Sequence, residues 1–373
     1  MNSRILLILL TFISCRLLHG DPRPWWEVSY DLEIDYPRLG DYKWQPGKDK
    51  LILRGSGVNR KSFYLVDLAL GDTTVYLDSS VFNHGSSYVP IVKWSFSKDG
   101  SLMLIQSQRD RIWRHSNTGT YYLLDIEKRS LTKVSEQNDM LRNVKISPDN
   151  RWVSYVRTDN NLYAFNIKRK REKKLTRTGS ETILNGHYGW VYEEELSGFD
   201  GYRWSPNSKH IAYVQEDQSQ VGRFSMVDEL QLYPKVEEVF YPKAGSTNPK
   251  IRVAVINVQG GGKKFIKIDS EADVYYPWFE WYDNEKLWIM RLERLQKQWQ
   301  MIYADIISSK TMSGIRETDR GGWVELHETS QILSNGLFAH ISERDGYQHI
   351  YLERPNGRFT VPVTSGQWEV KQI

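Results

Sequence analysis

Three consecutive carboxylates, Glu193-Glu194-Glu195, follow two aromatic residues in the run Trp190-Val191-Tyr192-Glu193-Glu194-Glu195. Adjacent carboxylates repel. Holding two of them on one side of a rigid wall costs free energy unless a cation sits between them. The run is therefore a candidate cation-binding site. The alternative is a solvated acidic loop, the usual fate of a charge run. A core-like segment, Tyr202-Arg203-Trp204-Ser205-Pro206-Asn207, follows shortly after.

Other chemistry is sparse. A serine hydrolase of the α/β type needs a G-x-S-x-G elbow followed by Asp and His. None occurs, and Gly85-Ser86-Ser87-Tyr88-Val89 lacks the second glycine. Without that serine the eight histidines have no triad to join. No His/Asp/Glu cluster has zinc spacing and no phosphate loop is present, because Gly260-Gly261-Gly262 before two lysines reads as a hairpin turn. No catalytic residue, metal site or cofactor is expected from the chain itself.

The elements that position the carboxylates are repeated. Trp44, Trp94, Ile146, Trp204, Trp281 and Ile332 anchor similar first strands, separated by 50, 52, 58, 77 and 51 residues. Most carry a turn of the Ser-Pro-Asp type, as in Ile146-Ser147-Pro148-Asp149-Asn150. An apolar strand follows, such as Leu102-Met103-Leu104-Ile105 or Trp152-Val153-Ser154-Tyr155-Val156. Next comes a strand ending in Asp or Asn, such as Tyr121-Tyr122-Leu123-Leu124-Asp125, whose last residue starts a turn. A period near 50 residues with about four short strands per unit marks a β-propeller. One such sheet cannot bury both faces alone, whereas radial packing buries both. The predicted fold is all-β, with about six blades from residue 44 to the end. The wide gap between 204 and 281 holds an insertion, for which turn-rich Tyr233 to Asn248 is the candidate.

Composition agrees. The chain has 373 residues, is 40% hydrophobic and 13% aromatic, and carries 14 Trp and 22 Tyr, which favour β structure. A net charge of +4, from 50 basic and 46 acidic residues, implies no nucleic-acid partner. The basic run Lys168-Arg169-Lys170-Arg171 reads as a hairpin tip. Residues 1–20 read as an export signal: Arg4, then the apolar stretch Ile5 to Ile13, too short to span a bilayer. Periplasmic or secreted location is expected. Phe12-Ile13-Ser14-Cys15 is a poor match to a lipoprotein box, in which Cys15 would be lipidated. Cys15 is the only cysteine, so disulfides are not available to the exported chain.

From about residue 40 onward the chain resembles the N-terminal propeller of the dipeptidyl peptidase IV family, in the prolyl oligopeptidase clan. The residues that carry the resemblance are Trp190-Val-Tyr-Glu-Glu-Glu195, Trp204-Ser-Pro-Asn207, Tyr241-Pro-Lys-Ala-Gly245 with Asn248-Pro249, and Trp113-Arg114-His115-Ser116. Glu343-Arg-Asp-Gly-Tyr-Gln-His-Ile-Tyr351 and Gly366-Gln-Trp-Glu-Val370 also fit. The resemblance implies an eight-bladed propeller capping an α/β-hydrolase domain. It also implies that Glu194 and Glu195 bind the free α-ammonium of a peptide, and that Arg114 binds a substrate carbonyl oxygen. Near Gly322-Trp323-Val324 the family often offers an aromatic residue and an arginine to an extended pocket. Here Glu325-Leu326-His327 stands instead.

On this reading, residues 21–373 are an incomplete propeller without its hydrolase domain, inactive alone and binding free N-termini weakly. A separate hydrolase domain or self-association through open blade edges would complete it. The alternative is a stand-alone propeller that binds peptides or proteins without catalysis.

Overall fold

The computed structural model describes residues 41–373, apart from 56–59, 138–139, 231, 261, 271, 327–329 and 355–356. The expected export signal, Cys15 and His327 therefore lie outside the described residues. The protein is nearly all-β. The described residues divide into two compact units, one of 41–44 with 49–76, the other of 45–48 with 77–373.

The first unit holds the first sheet, an antiparallel meander of β1 (Tyr42–Trp44), β2 (Lys50–Arg54), β3 (Phe63–Asp67) and β4 (Asp72–Leu77). Lys50 and Asp67, opposite each other in the ladder, pair at 2.9 Å.

The second unit opens with a short hairpin, β5 (Asn83–His84) and β6 (Ser87–Tyr88). The second sheet follows: β7 (Lys93–Phe96), β8 (Leu102–Gln106), β11 (Tyr121–Asp125) and β12 (Ser130–Lys133). Between β8 and β11 the chain leaves its own sheet. It forms a hairpin, β9 (Asp110–Arg111) and β10 (Asn117–Gly119), that pairs with the first strand of the third sheet. That sheet comprises β13 (Leu141–Ile146), β14 (Trp152–Val156), β15 (Leu162–Asn166) and β16 (Arg171–Lys174). The basic run turns between β15 and β16, with Lys170 at φ 49°.

The fourth sheet contains β17 (Ile183–Asn185), β18 (Tyr202–Trp204), β19 (His210–Asp217), β22 (Lys250–Asn257) and β23 (Lys264–Phe265). A short helix, α1 (Trp190–Leu196), lies between β17 and β18. A separate ribbon, β20 (Arg223–Asp228) and β21 (Lys235–Phe240), fills the wide gap in the repeat. The insertion thus starts earlier than its turn-rich part, as a hairpin whose strands Phe224-Ser-Met-Val227 and Val236-Glu-Glu-Val239 have no strong turn signal. The fifth sheet has β24 (Val274–Tyr275), β25 (Phe279–Trp281), β26 (Lys286–Glu293), β27 (Gln298–Asp305) and β28 (Thr311–Thr318). The sixth has β29 (Gln331–Ile332), β30 (Phe338–Ser342), β31 (His349–Glu353) and β32 (Thr360–Pro362).

Neighbouring sheets of this unit pack face to face in chain order. Leu104 and Leu123 meet Leu141, Tyr155 and Tyr163 between the second and third sheets. Val156 and Ala164 meet Trp204, Tyr213 and Ile256 between the third and fourth. Val214 and Val253 meet Phe279, Leu287 and Ala304 between the fourth and fifth, and Trp288 and Met301 meet Phe338 beyond. Strands apolar on both faces are what such sandwiching demands, and β8 and β14 are buried along nearly their whole length. Each large side chain fully buried here contributes about 1.5–3 kcal/mol.

The repeated turn explains itself chemically. Ser147 Oγ donates to Asp149 Oδ1 and accepts from the Trp152 amide, closing the bend between β13 and β14. Ser97 and Ser205 do the same for β7–β8 and β18–β19. The turns also join one sheet to the next. Asn150 Nδ2 donates to Asp99 Oδ1 at 2.7 Å, and the Asp149 amide donates to Ser208 Oγ at 2.9 Å.

Candidate functional site

The acidic run forms helix α1, not a loop. The helix is too short to stand by propensity alone, so its neighbours hold it. Val191 and Tyr192 are buried, Tyr192 stacks on Tyr188 at 4.9 Å, and its hydroxyl accepts from the Tyr276 amide. The N-cap is Gly189, which has no side chain to cap with. Glu216, reaching over from β19, accepts the Gly189 amide at 2.8 Å. A Cβ on Gly189 would stand 2.2 Å from Gln218 Nε2 and 2.6 Å from Glu216 Oε1, so a larger residue would have to push these side chains aside. The helix stops at Ser197, in the left-handed conformation at φ 53°.

Successive helical residues are turned by about 100°, so the three glutamates face three ways. Glu193 is fully buried. Its Oε1 accepts the amides of His115 and Ser116, both at 2.7 Å. Glu194 is half-buried, and its Oε2 accepts from Arg114 Nε at 2.7 Å. Glu195 is exposed to solvent. Arg114 sits between β9 and β10, so the sheet-crossing hairpin brings it to the helix across 80 residues of chain. Its side chain is 66% exposed, which leaves the rest of the guanidinium open to a ligand.

The hydrogen bond from Arg114 holds the Glu194 carboxyl below the usual range, against some desolvation. The same bond raises Arg114, with a smaller pull from Glu195. Both groups are ionised at neutral pH. Chemically the patch offers two carboxylates on one short helix and an arginine fork beside them, suited to a group that carries a cation and a carbonyl oxygen close together.

Sequence reasoning missed the support beneath. Glu193 stands beside Glu194 and Glu195 in the run, yet it serves the loop and not the surface. Arg142 on β13 is buried, with Nη2 3.7 Å from Glu193 Oε2. Burial pushes Arg142 down to about 10, opposed by Glu193, Glu216 and Asp200. Burial pushes Glu216 up to about 7, against the Gly189 amide and Gln218. No sequence pattern marks Arg142 or Glu216. The only signal is a charged residue where its strand is otherwise set to be buried.

A cavity of about 800 Å³ opens elsewhere, lined by Trp204, Trp278, Glu280 and Asn335 among others, and none of Arg114, Glu194 or Glu195 lines it. Among the described residues no group of three or more His, Cys, Asp or Glu is placed to hold a metal ion, and no helix is long and apolar enough to cross a membrane.

Known proteins resemble this chain over most of its length. Dipeptidyl aminopeptidase B of Saccharomyces cerevisiae is 29% identical over 328 residues, covering 82% of this chain and 40% of the yeast protein. Dipeptidyl peptidase 4 of Felis catus is 30% identical over 333 residues, covering 82% of this chain and 43% of the cat protein. The chain thus spans about two fifths of the length of these curated relatives. The crystal structure of Porphyromonas gingivalis dipeptidyl peptidase 4 superimposes with a TM-score of 0.81 at 26% identity, covering 90% of this chain and 48% of that one. Residues 97–373, from the second sheet's first turn onward, match the family described as "Dipeptidyl peptidase IV (DPP IV) N-terminal region". With so much of its length matched, this chain belongs to the dipeptidyl peptidase IV family, in its N-terminal region.

Proposed function

We propose that this chain is the substrate-gating and N-terminus-recognition propeller of a dipeptidyl peptidase IV-like serine exopeptidase, acting in proteolysis with a hydrolase domain as its partner. We further propose that it works outside the cytoplasm, in the periplasm or as a secreted protein, in keeping with its apolar leading residues. Glu194 and Glu195 take the α-ammonium of a peptide, and Arg114 takes a carbonyl oxygen near it. The observation that supports this most is the contact between Arg114 and Glu194 at 2.7 Å, with Glu195 exposed on the same helix.

The chemistry follows from charge and geometry. An ammonium has three donors, and two carboxylates supply acceptors for all of them in charge-assisted bonds. An acetylated N-terminus has neither the charge nor the donors, so it would leave both carboxylates without a cation. Arg114 already neutralises part of Glu194, so the incoming ammonium shares that carboxylate and pairs more fully with Glu195. The site is open to water, where an ion pair is worth about 1 kcal/mol or less. Binding by the propeller alone is therefore weak.

Calorimetry with a Xaa-Pro dipeptide amide and its acetylated counterpart tests the reading. The free amine is expected to bind and the acetylated form not. Glu195→Gln and Glu194→Gln should each lower the affinity several-fold. Equal binding of the two peptides would reject the recognition role.

A further inference from the structure

Under the exposed Arg114–Glu194 pair lies a second, buried pair. Arg142 stands opposite Thr118 in the ladder between β10 and β13, at the root of the hairpin that carries Arg114. Its guanidinium lies 5.8 Å from the Trp113 ring centroid and 3.7 Å from Glu193 Oε2. Just past it β13 bulges, with Asn143 at φ 54° and its Nδ2 donating to the Phe199 carbonyl beyond α1. A bulge re-aims the side chains beside it, and here it accompanies an arginine turned toward a buried carboxylate. Four buried polar atoms gather at this point without a hydrogen-bond partner among the described residues: Arg142 Nε and Nη2, Glu193 Oε2 and Ser116 Oγ.

Glu193 binds two backbone amides of the Arg114 loop through one oxygen. A carboxyl group with no exposed surface needs a partner for its second oxygen, and a cation is the strongest one. Arg114 does not supply it, because Arg114 is engaged with Glu194. Arg142 is the cation nearest the other oxygen.

We propose that Arg142 is a positioning residue. Its guanidinium holds the second oxygen of the Glu193 carboxyl, and Glu193 in turn clamps the 113–116 loop to helix α1 in the arrangement that lets Arg114 meet Glu194. The functional consequence rests on the recognition reading above. The clamp itself does not.

The test is hydrogen exchange on the full chain, read at the His115 and Ser116 amides, combined with peptide calorimetry. Arg142→Gln should speed exchange at these two amides by tenfold or more while leaving amides of β26 and β27 unchanged. It should also weaken free-amine peptide binding by a similar factor. Arg142→Lys keeps the charge and should recover part of both. The double variant Arg142→Gln/Glu193→Gln keeps an acceptor for the amides and removes the uncompensated charge. It should therefore be less perturbed than Arg142→Gln alone, whereas a residue that merely fills space gives additive losses. Unchanged exchange in Arg142→Gln, or a double variant as damaged as the sum of the single ones, would overturn the proposal. If the wild type fails to tell free from acetylated peptide, the recognition reading falls, and the exchange comparison still decides the clamp.

Discussion

At the scale of single residues, charge is layered. Glu195 faces water, Glu194 meets an exposed arginine, Glu193 lies beside a buried one, and Glu216 is buried at the end of the helix. Glu216 has a consequence that stability measurements can read. Its folded value of about 7 is above that of a free carboxyl, because burial disfavours the charge. A group raised on folding contributes stability that is fully present below its unfolded value and is lost as pH rises through the folded one. The window is therefore from about 4.5 to about 7. Wild type should lose stability across that window, on the order of 3 kcal/mol for a shift of this size. Glu216→Gln, which still offers an oxygen to the Gly189 amide, should flatten the curve. Urea midpoints at pH 5 and pH 8 for both proteins measure this. Equal pH dependence in the two would show that Glu216 stays ionised throughout.

At the scale of elements, the turns between first and second strands carry more than chain reversal. Ser205 is fully buried and accepts the His210 amide at 2.9 Å while donating to Asn207 at 2.8 Å. Ser205→Ala leaves that amide unsatisfied away from water, and should cost about 1–3 kcal/mol in unfolding free energy. Ser205→Thr keeps the hydroxyl and isolates the hydrogen bond from added bulk. These turns were legible beforehand because the same few residues recur at similar spacing, so each copy supports the others. Helix α1 was not legible. Seven residues show no helical period, and Trp190, Val191 and Tyr192 favour strands as readily. What makes the helix is the cap from Glu216 and the packing under Tyr192, and both come from far along the chain. The crossing of β9 and β10 to the third sheet was hidden for the same reason. Asp110-Arg111 and Asn117-Thr118-Gly119 have no apolar alternation, and their partner is chosen by tertiary packing. Gly119 shows how closely the hairpin folds back on the chain that leads into it, since a Cβ there would lie 2.3 Å from the Gln108 carbonyl oxygen. Arg114 and Glu194 could be named from the motifs around them, whereas their contact depends on this crossing.

At the scale of the molecule, the apolar surface is unevenly placed. The ribbon of β20 and β21 extends Leu230, Leu232 and Tyr233 into solvent, each more than 80% exposed, with Val227 and Val236 nearby. Clustered apolar exposure of this kind marks a contact surface or an aggregation liability. Self-association that rises with concentration is expected, and Leu230→Ser with Leu232→Ser should reduce it in sedimentation equilibrium. Unchanged association in that variant would point to sheet edges instead. Within the second unit the sheets pack in chain order, each against its neighbours, which is why a period of about 50 residues is visible in the sequence.

That serial packing gives the crossing hairpin a thermodynamic meaning. Arg114 is rooted in the second sheet and hydrogen-bonded through its hairpin to the third, while Glu194 belongs to the fourth. A ligand that grips both residues therefore spans three sheets. Its occupancy and their cohesion form one equilibrium, so each strengthens the other by mass action. A ligand of the proposed kind would work there as a clasp, and prising the sheets apart would release it.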